Sequence, residues 1–426
     1  MISNLTLNTN INFLFGKLKL LSIYLLFIVL IWASFIGAFV HPLINTNRFL
    51  LFSCVFLLTI LLNRKLVFLI LPLQFRLYLV FAALAILSII YSLDTSLAII
   101  EIRNLIIVIF VFIGTYNFVT TINRIITVMN IFIVLLCVYA LYLFLSIDIF
   151  SFGARFNFEE KSYNIIMLEF IVGVLFCFFL ASFTEKKYPY YLLGILFLAI
   201  IIATGSVKGF IAISFFIVLS LIPYKFKFNF NLSIRKILKF TFLSIFVCIA
   251  IVFLSKMDFF DSGLSRVVAT IMFLVSNDTQ YAMEAAGSVH GVRDQLVSYG
   301  IEFWKERPIF GSGINNYRYL IQKNYGFPTY SHNTYIEILV GTGIVGFIFY
   351  FLFIISTFIF LIKKYLVLKE KSILLIIYGL VCLVIISFGQ RMYAVIYQFI
   401  YIALILSFVK IKLRNKLFNL NEYEKN

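Results

Sequence analysis

Long apolar stretches alternate with short polar ones along almost the whole chain. Runs long enough to cross a bilayer as helix, about 17–25 residues each, fall near 18–40, 47–62, 75–92, 97–119, 125–147, 163–183, 189–204, 209–223, 236–254, 335–362, 373–389 and 393–409. One polar interval is far longer than the others, from about Ser255 to Ser331. Between Val289 and Glu306 it has helical order: Asp294, Gln295, Ser298, Glu302, Lys305 and Glu306 share one arc of a helical wheel, and Val292, Leu296, Tyr299 and Phe303 lie opposite. That pattern predicts an amphipathic helix lying on the membrane-facing spans. Pro308 then ends the helix and Gly311-Ser312-Gly313 makes a turn. Thr334 and Glu337 have the T-x-x-E spacing of a capping box, which predicts a helix starting near Tyr335 and running unbroken to Ile362. The pattern therefore predicts an all-α protein, a polytopic membrane helical bundle of about twelve transmembrane helices with one large outer loop. Its parts are helices 1–9 in 1–254, the loop in 255–334, and helices 10–12 with a cytoplasmic tail in 335–426.

Composition excludes a soluble globule. Hydrophobic residues make up 63% of the 426, charged residues only 12%, and the mean hydropathy is +1.07, whereas soluble domains carry about 25% charge. The first apolar run, Leu18 to Val40, is too long for a signal-peptide core and ends in no A-x-A-like site, so it reads as a retained span. Cys54, Cys137, Cys177, Cys248 and Cys382 all fall inside apolar runs, a placement that suits packing and points to neither a disulfide framework nor a C-x-x-C metal site. The net charge of +17 is chiefly a signal of orientation. With a cytoplasmic N terminus, about four-fifths of the short-loop Lys and Arg lie inside, leaving only Arg48, Arg155, Lys161, Lys208 and Arg391 in short outer loops. Both termini are then inside, the long loop is outside, and no nucleic-acid partner is implied.

The candidate chemistry lies at the outer face. Of three histidines, His41 and His290 read as solvent or interface residues, while His332 sits where the polar loop meets an apolar helix. Just ahead of a helix N terminus an anion is favoured and an imidazolium is not, so a phosphate fits there while His332 stays able to accept a proton. The plainer alternative is that His332 only satisfies a helix end. Lys208, in the turn Thr204 to Gly209, and Arg391, in Gly389-Gln390-Arg391, occupy tight turns that need no charge for solvation. With Arg293, which departs from the polar arc of its helix, they suit a polyanion such as a pyrophosphate; interfacial snorkelling explains each singly as well. Arg155 is a candidate of the same kind. Glu101 and Arg103, two residues apart, cannot share a helix face and so form no local ion pair; they read as surroundings of the site, as does Glu169. Gly341-x-Gly343-x-x-Gly346 has the letters of a dinucleotide fingerprint, but no strand precedes it, and it reads as close helix packing. The loop has no Asp-x-Asp pair or His/Asp cluster for a catalytic divalent metal.

Val292-Arg293-Asp294, Pro308-x-x-Gly311-x-Gly313 and Ser331-His332-Asn333-x-Tyr335-Ile336-Glu337 with Gly343-x-x-Gly346 together resemble the O-antigen ligase and polymerase superfamily. The resemblance implies a GT-C-like, metal-independent membrane glycosyltransferase without a cofactor, acting at the periplasmic face of the bacterial inner membrane on undecaprenyl-diphosphate-linked oligosaccharide. Membrane lipids and a chain-length regulator protein are its implied partners. It implies His332 as catalytic and Arg293, Arg391 and Lys208 as diphosphate-binding, with Asn333 and Glu337 beside them in the motif. Where the family often has Ser/Thr-Arg, this chain has Val207-Lys208, which keeps the charge but loses the bidentate fork. The unbroken Y-I-E and G-I-V-G wording favours a repeat-unit polymerase over a ligase that passes the finished glycan to lipid A-core. A lipid-linked oligosaccharide flippase would instead require charges lining a path through the membrane.

The charge asymmetry makes a direct prediction. A cysteine placed in the 255–331 loop is expected to react with an impermeant maleimide in intact cells, and one at Asn421 only after lysis; labelling of Asn421→Cys in intact cells would contradict the orientation.

Overall fold

In the computed structural model, residues 71–146, 163–204, 206–221 and 290–423 are described, together with Tyr24 and Ile28. Among them the secondary structure is helical throughout: α1 (Leu73–Leu87, continued by a 3₁₀ turn to Tyr91), α2 (Thr95–Phe118), α3 (Ile122–Ser146), α4 (Tyr163–Phe183), α5 (Tyr188–Ala203), α6 (Val207–Leu221), α7 (His290–Glu306), α8 (Tyr317–Tyr325), α9 (Thr334–Leu368), α10 (Lys371–Ser387) and α11 (Ile396–Tyr423). Six of these stretches are long and apolar enough to span a membrane, and α5, α6 and α10 are shorter apolar helices. These nine helices fall where the hydrophobic pattern predicts spans. The predicted spans at 47–62 and 236–254, and that at 18–40 apart from Tyr24 and Ile28, lie outside the described residues, as do Arg155 and Lys161.

The chain divides into two units. In the first, built on residues 1–76, 103–142 and 394–426, Phe75 stacks on Phe112 with ring centroids 3.6 Å apart. The C-terminal end of α2 is closed by cations, since Arg124 Nη1 donates to the Phe118 carbonyl at 2.9 Å and Arg414 Nη2 to that of Thr120 at 3.4 Å. Positive charge complements the carbonyls exposed at a helix C terminus. Arg103 is exposed and belongs to this unit.

The second unit comprises residues 77–102 and 143–393. Helix α4 is buried along most of its length, with Glu169 wholly inside, and packs on α5, α6 and α10. Aromatic rings of α1 and α9 interlock: Tyr78 meets Phe353 and Phe81 meets Tyr350, each pair with centroids 5.3 Å apart. The amphipathic helix expected between Val289 and Glu306 is α7. It buries Leu296 and Phe303 in a cluster with Tyr317, Leu320, Ile321, Ile336 and Val340, so it rests on α8 and on the first turns of α9. Gly300 allows this approach, because a Cβ there would run into the Ile336 side chain.

Helix α9 is not the single span its apolar run predicts. Gly343 has φ 64° and ψ −166° and breaks it, in a backbone region essentially restricted to glycine. The 25 residues from Ile344 to Leu368 suffice to cross the bilayer, and those from Thr334 to Thr342 form a separate short helix. A break frees carbonyls before it and N–H groups after it, each costing several kcal/mol if left unpaired in an apolar setting. The segment after Pro308 supplies the partners. Ser312 and Gly313 donate from their main-chain nitrogens to the Val340 and Gly341 carbonyls at 2.8 and 2.9 Å, and the Pro308 and Ile309 carbonyls accept from Ile344 and Val345 at 2.9 and 3.3 Å. Gly341-x-Gly343-x-x-Gly346 is thus the docking place of Pro308-x-x-Gly311-x-Gly313 rather than a helix-packing stripe alone. A Cβ on Gly311 would lie 2.6 Å from the Val340 carbonyl oxygen, and one on Gly343 would overlap the Ile309 carbonyl.

Gly343→Ala should therefore expel the docked segment. The left-handed backbone alone costs about 1–3 kcal/mol, and the clash adds to it, so a clear fall in Tm of the detergent-purified protein is expected. An unchanged Tm would show that the break is not held by this docking.

Candidate active site

The docked segment continues into Ile314-Asn315-Asn316, which fastens to the connection between α1 and α2. Ile314 N donates to Ser88 Oγ at 2.9 Å, Asp94 N donates to Asn316 Oδ1 at 2.7 Å, and Asn316 Nδ2 donates to Ser92 Oγ at 2.5 Å. Asp94 also caps α2, accepting from Ser96 Oγ and from the Ser96 and Leu97 N–H groups, and these bonds, led by that of Ser96, lower its carboxyl pKa. The glycine motif is held from both sides, and Ser312, Ile314 and Asn316 are buried between.

From Tyr330 to Glu337 the chain makes a tight loop and starts α9. Its N-cap is Asn333, one residue earlier than the capping-box spacing predicts: Asn333 Oδ1 accepts from Tyr335 N at 2.9 Å and Ile336 N at 3.3 Å. Thr334 cannot cap because its hydroxyl is used elsewhere, donating to the Gln390 carbonyl at 2.6 Å and accepting from Met392 N at 2.8 Å. Glu337 is buried and reaches back past the cap, where its Oε1 accepts from Ser331 N at 2.6 Å. Asparagine and carboxylate together answer the positive end of the helix, so the charge available to an anion resides on the side chains around it more than on the helix terminus. His332 immediately precedes the cap, half-buried, in the left-handed region at φ 55°, with the Tyr330 ring centroid 4.0 Å from its own.

The turn between α10 and α11 is tied to this helix start. Besides the Thr334 bonds, the Tyr78 hydroxyl donates to the Tyr393 carbonyl at 2.8 Å, Ser387 Oγ donates to the Tyr335 hydroxyl at 2.9 Å, and the Lys208 ammonium, in the first turn of α6, donates to the Gly389 carbonyl. The sequence-predicted residues Lys208 and Arg391 thereby meet in one turn. Arg391 forms an ion pair with Glu101, Nη1 to Oε2 3.2 Å, in which the carboxylate is 1% exposed and the arginine side chain 30%. Nη1 also donates to Asn315 Oδ1 at 2.6 Å, and the guanidinium lies over the Tyr393 ring at 5.9 Å. Burial would loosen the arginine's proton, but Glu101, then Tyr393, Glu337 and Tyr330, outweigh it and raise its pKa, so the cation persists. Tyr330 links the two halves: its ring lies against His332 at a 38° tilt, and it is within electrostatic reach of Arg391.

The structure therefore gathers His332, Asn333, Glu337, Arg391, Lys208 and Glu101 in one unit. Arg293 lies in the first turn of α7, two helical turns before Gly300, and its side chain is outside the described residues. Sequence reading missed Asn315 and the partner of Glu101. A buried carboxylate within an apolar helix requires a cation, and Arg391 was already among the few available.

Residues 192–351 match the family described as O-Antigen ligase. The matched stretch contains Lys208, Arg293, the docked glycine motif, His332 and the Gly343 break, and bears out the resemblance to the O-antigen ligase and polymerase superfamily; Glu101 and Arg391 lie outside it. No curated protein matches the chain.

Thr334 is the staple between helix start and turn. Thr334→Val keeps the shape but leaves the Gln390 carbonyl and Met392 N–H short of partners, at a cost of about 1–3 kcal/mol for each buried group left unsatisfied. Thr334→Ser should retain most of the thermal stability of the wild type, and Thr334→Val should show a clear fall in Tm; a Val variant with the wild-type Tm would show that the staple is dispensable.

Proposed function

We propose that this chain is a polymerase of polyprenyl-diphosphate-linked oligosaccharide repeat units. It transfers the growing glycan from its lipid diphosphate to a sugar hydroxyl on another lipid-linked unit at the outer face of the membrane. The observation that carries this reading is the pair of hydrogen bonds that the Thr334 hydroxyl makes with the Gln390 carbonyl and Met392 N–H, which fixes the Arg391 turn against the helix headed by His332. The imidazole accepts the proton of the acceptor hydroxyl as that oxygen attacks the anomeric carbon. The bond from that carbon to the diphosphate breaks, and the leaving polyprenyl diphosphate takes the negative charge, which Arg391 and Arg293 bind while Lys208 holds the turn. Proton transfer of this type contributes about 10²–10⁴-fold, and cations aimed at the leaving group add electrostatic stabilisation.

The description of the matched family favours a second reading, a ligase that transfers the finished glycan to lipid A-core. The glycan profile of a deletion strain separates the two. Lipid core bearing a single repeat unit is expected for the polymerase, and bare core with polymeric glycan still on the carrier would establish the ligase.

In either case His332→Gln keeps a hydrogen-bonding side chain but removes the base. It should abolish transfer while leaving binding of the lipid-linked donor largely intact, because a group used in the transition state affects turnover more than ground-state affinity. Wild-type activity should fall toward acid pH, since a protonated imidazole has no lone pair to accept with. A purified His332→Gln protein that works at the wild-type rate would remove His332 from the chemistry.

A further inference from the structure

Asn315 is a non-glycine residue at φ 64°, next in space to the site and 7% exposed. Asparagine is among the few side chains that tolerate this backbone region, but a buried polar residue placed there has to find partners for its amide. It has two. Nδ2 donates to the Leu97 carbonyl in the first turn of α2 at 3.0 Å, and Oδ1 accepts from Arg391 Nη1 at 2.6 Å. The amide orientation is dictated at both ends, because a carbonyl only accepts and a guanidinium only donates. Glu101 Oε2, on the same helix as Leu97, lies 3.2 Å from the same Nη1.

The consequence for Arg391 is geometric. A guanidinium has five N–H donors in one plane. Two belong to Nη1, which is held by Asn315 and Glu101, while Nε and Nη2 donate to no protein acceptor among the described residues. Held by one nitrogen, the arginine is restrained from swinging and offers its Nε–Nη2 edge, the edge that binds two phosphate oxygens at once. Glu101 supplies charge but comes from a flexible side chain; the short Asn315 side chain, braced against a helix carbonyl on a docked loop, supplies direction.

We propose that Asn315 is a positioning residue that orients Arg391 for bidentate contact with the diphosphate of the lipid-linked donor. The proposal rests on the reading of Arg391 as a diphosphate ligand. It assigns to the docked glycine motif a role beyond closing the Gly343 break, since the same loop delivers the residue that aims the arginine.

Asn315→Gly is the test, because glycine keeps the left-handed backbone and deletes only the amide. With purified protein and a polyprenyl-diphosphate-linked donor, Asn315→Gly should raise KM for the donor about tenfold, the scale of one hydrogen bond to a charged group, with a smaller change in kcat. Asn315→Asp keeps the acceptor for Arg391 and should recover part of that loss. Arg391→Ala is expected to impair donor use more strongly, and adding Asn315→Gly to it should cost nothing further, as two residues acting in one chain are not additive. Additive losses, or an Asn315→Gly enzyme with wild-type KM beside an impaired Arg391→Ala, would overturn the positioning role. An Arg391→Ala enzyme with unchanged KM for the donor would overturn the diphosphate reading itself, and the positioning proposal with it.

Discussion

A helix cannot be broken inside an apolar run without something to receive its main-chain hydrogen bonds, and the architecture of the site depends on how this chain meets that constraint at Gly343. The Pro308 to Gly313 segment pairs with both sides of the break. The break lets the nine residues from Thr334 to Thr342 act as a short helix of their own, whose start carries Asn333 and His332 and whose side packs against α7. The docked segment in turn carries Asn315 and Asn316 to the α1–α2 connection. One set of backbone bonds thus sets the position of the histidine and of the loop that reaches the arginine.

Around this backbone the charges are arranged economically. Glu101 is buried and its Oε2 is paired with Arg391, whose side chain remains partly exposed. Removing either partner of such a pair leaves an uncompensated charge, which is far more costly than the pair is stabilising. That cost helps explain why the turn of Arg391 is tied so heavily, by Thr334, Tyr78 and Lys208: the cation must stay where it both neutralises a buried carboxylate and faces outward. A lysine at 208 serves such a role well, because one ammonium on one carbonyl needs no planar fork.

Much of this was legible in the sequence, for physical reasons. Spans such as 163–183 and 373–389 announce themselves because a bilayer demands uninterrupted apolar helix, and α7 does so because one face is polar. His332, Lys208 and Arg391 stood out because charge and imidazole are scarce in the segments that the charge asymmetry assigns to the outer side. The break in α9 was hidden because residues on both sides of Gly343 remain apolar, so hydropathy passes through it; only the two glycine motifs, each unusual alone, signalled a docking, and nothing local pairs them. The N-cap moved to Asn333 because the Thr334 hydroxyl is claimed by a turn remote in sequence, a tertiary demand that spacing rules do not see. Asn315-Asn316 reads as ordinary turn chemistry until Arg391 is placed beside it.

The central claim is that the loop-anchored histidine and the braced arginine form one site that breaks a glycosyl diphosphate bond. It is tested most directly by reconstituting the purified chain in liposomes with a synthetic polyprenyl-diphosphate-linked repeat unit and following glycan length together with free polyprenyl diphosphate. The account predicts a ladder of lengthened glycans on the carrier, with one polyprenyl diphosphate released for each unit joined. Donor bound but neither extended nor cleaved would contradict it, as would undiminished extension by an enzyme lacking both the His332 imidazole and the Arg391 guanidinium.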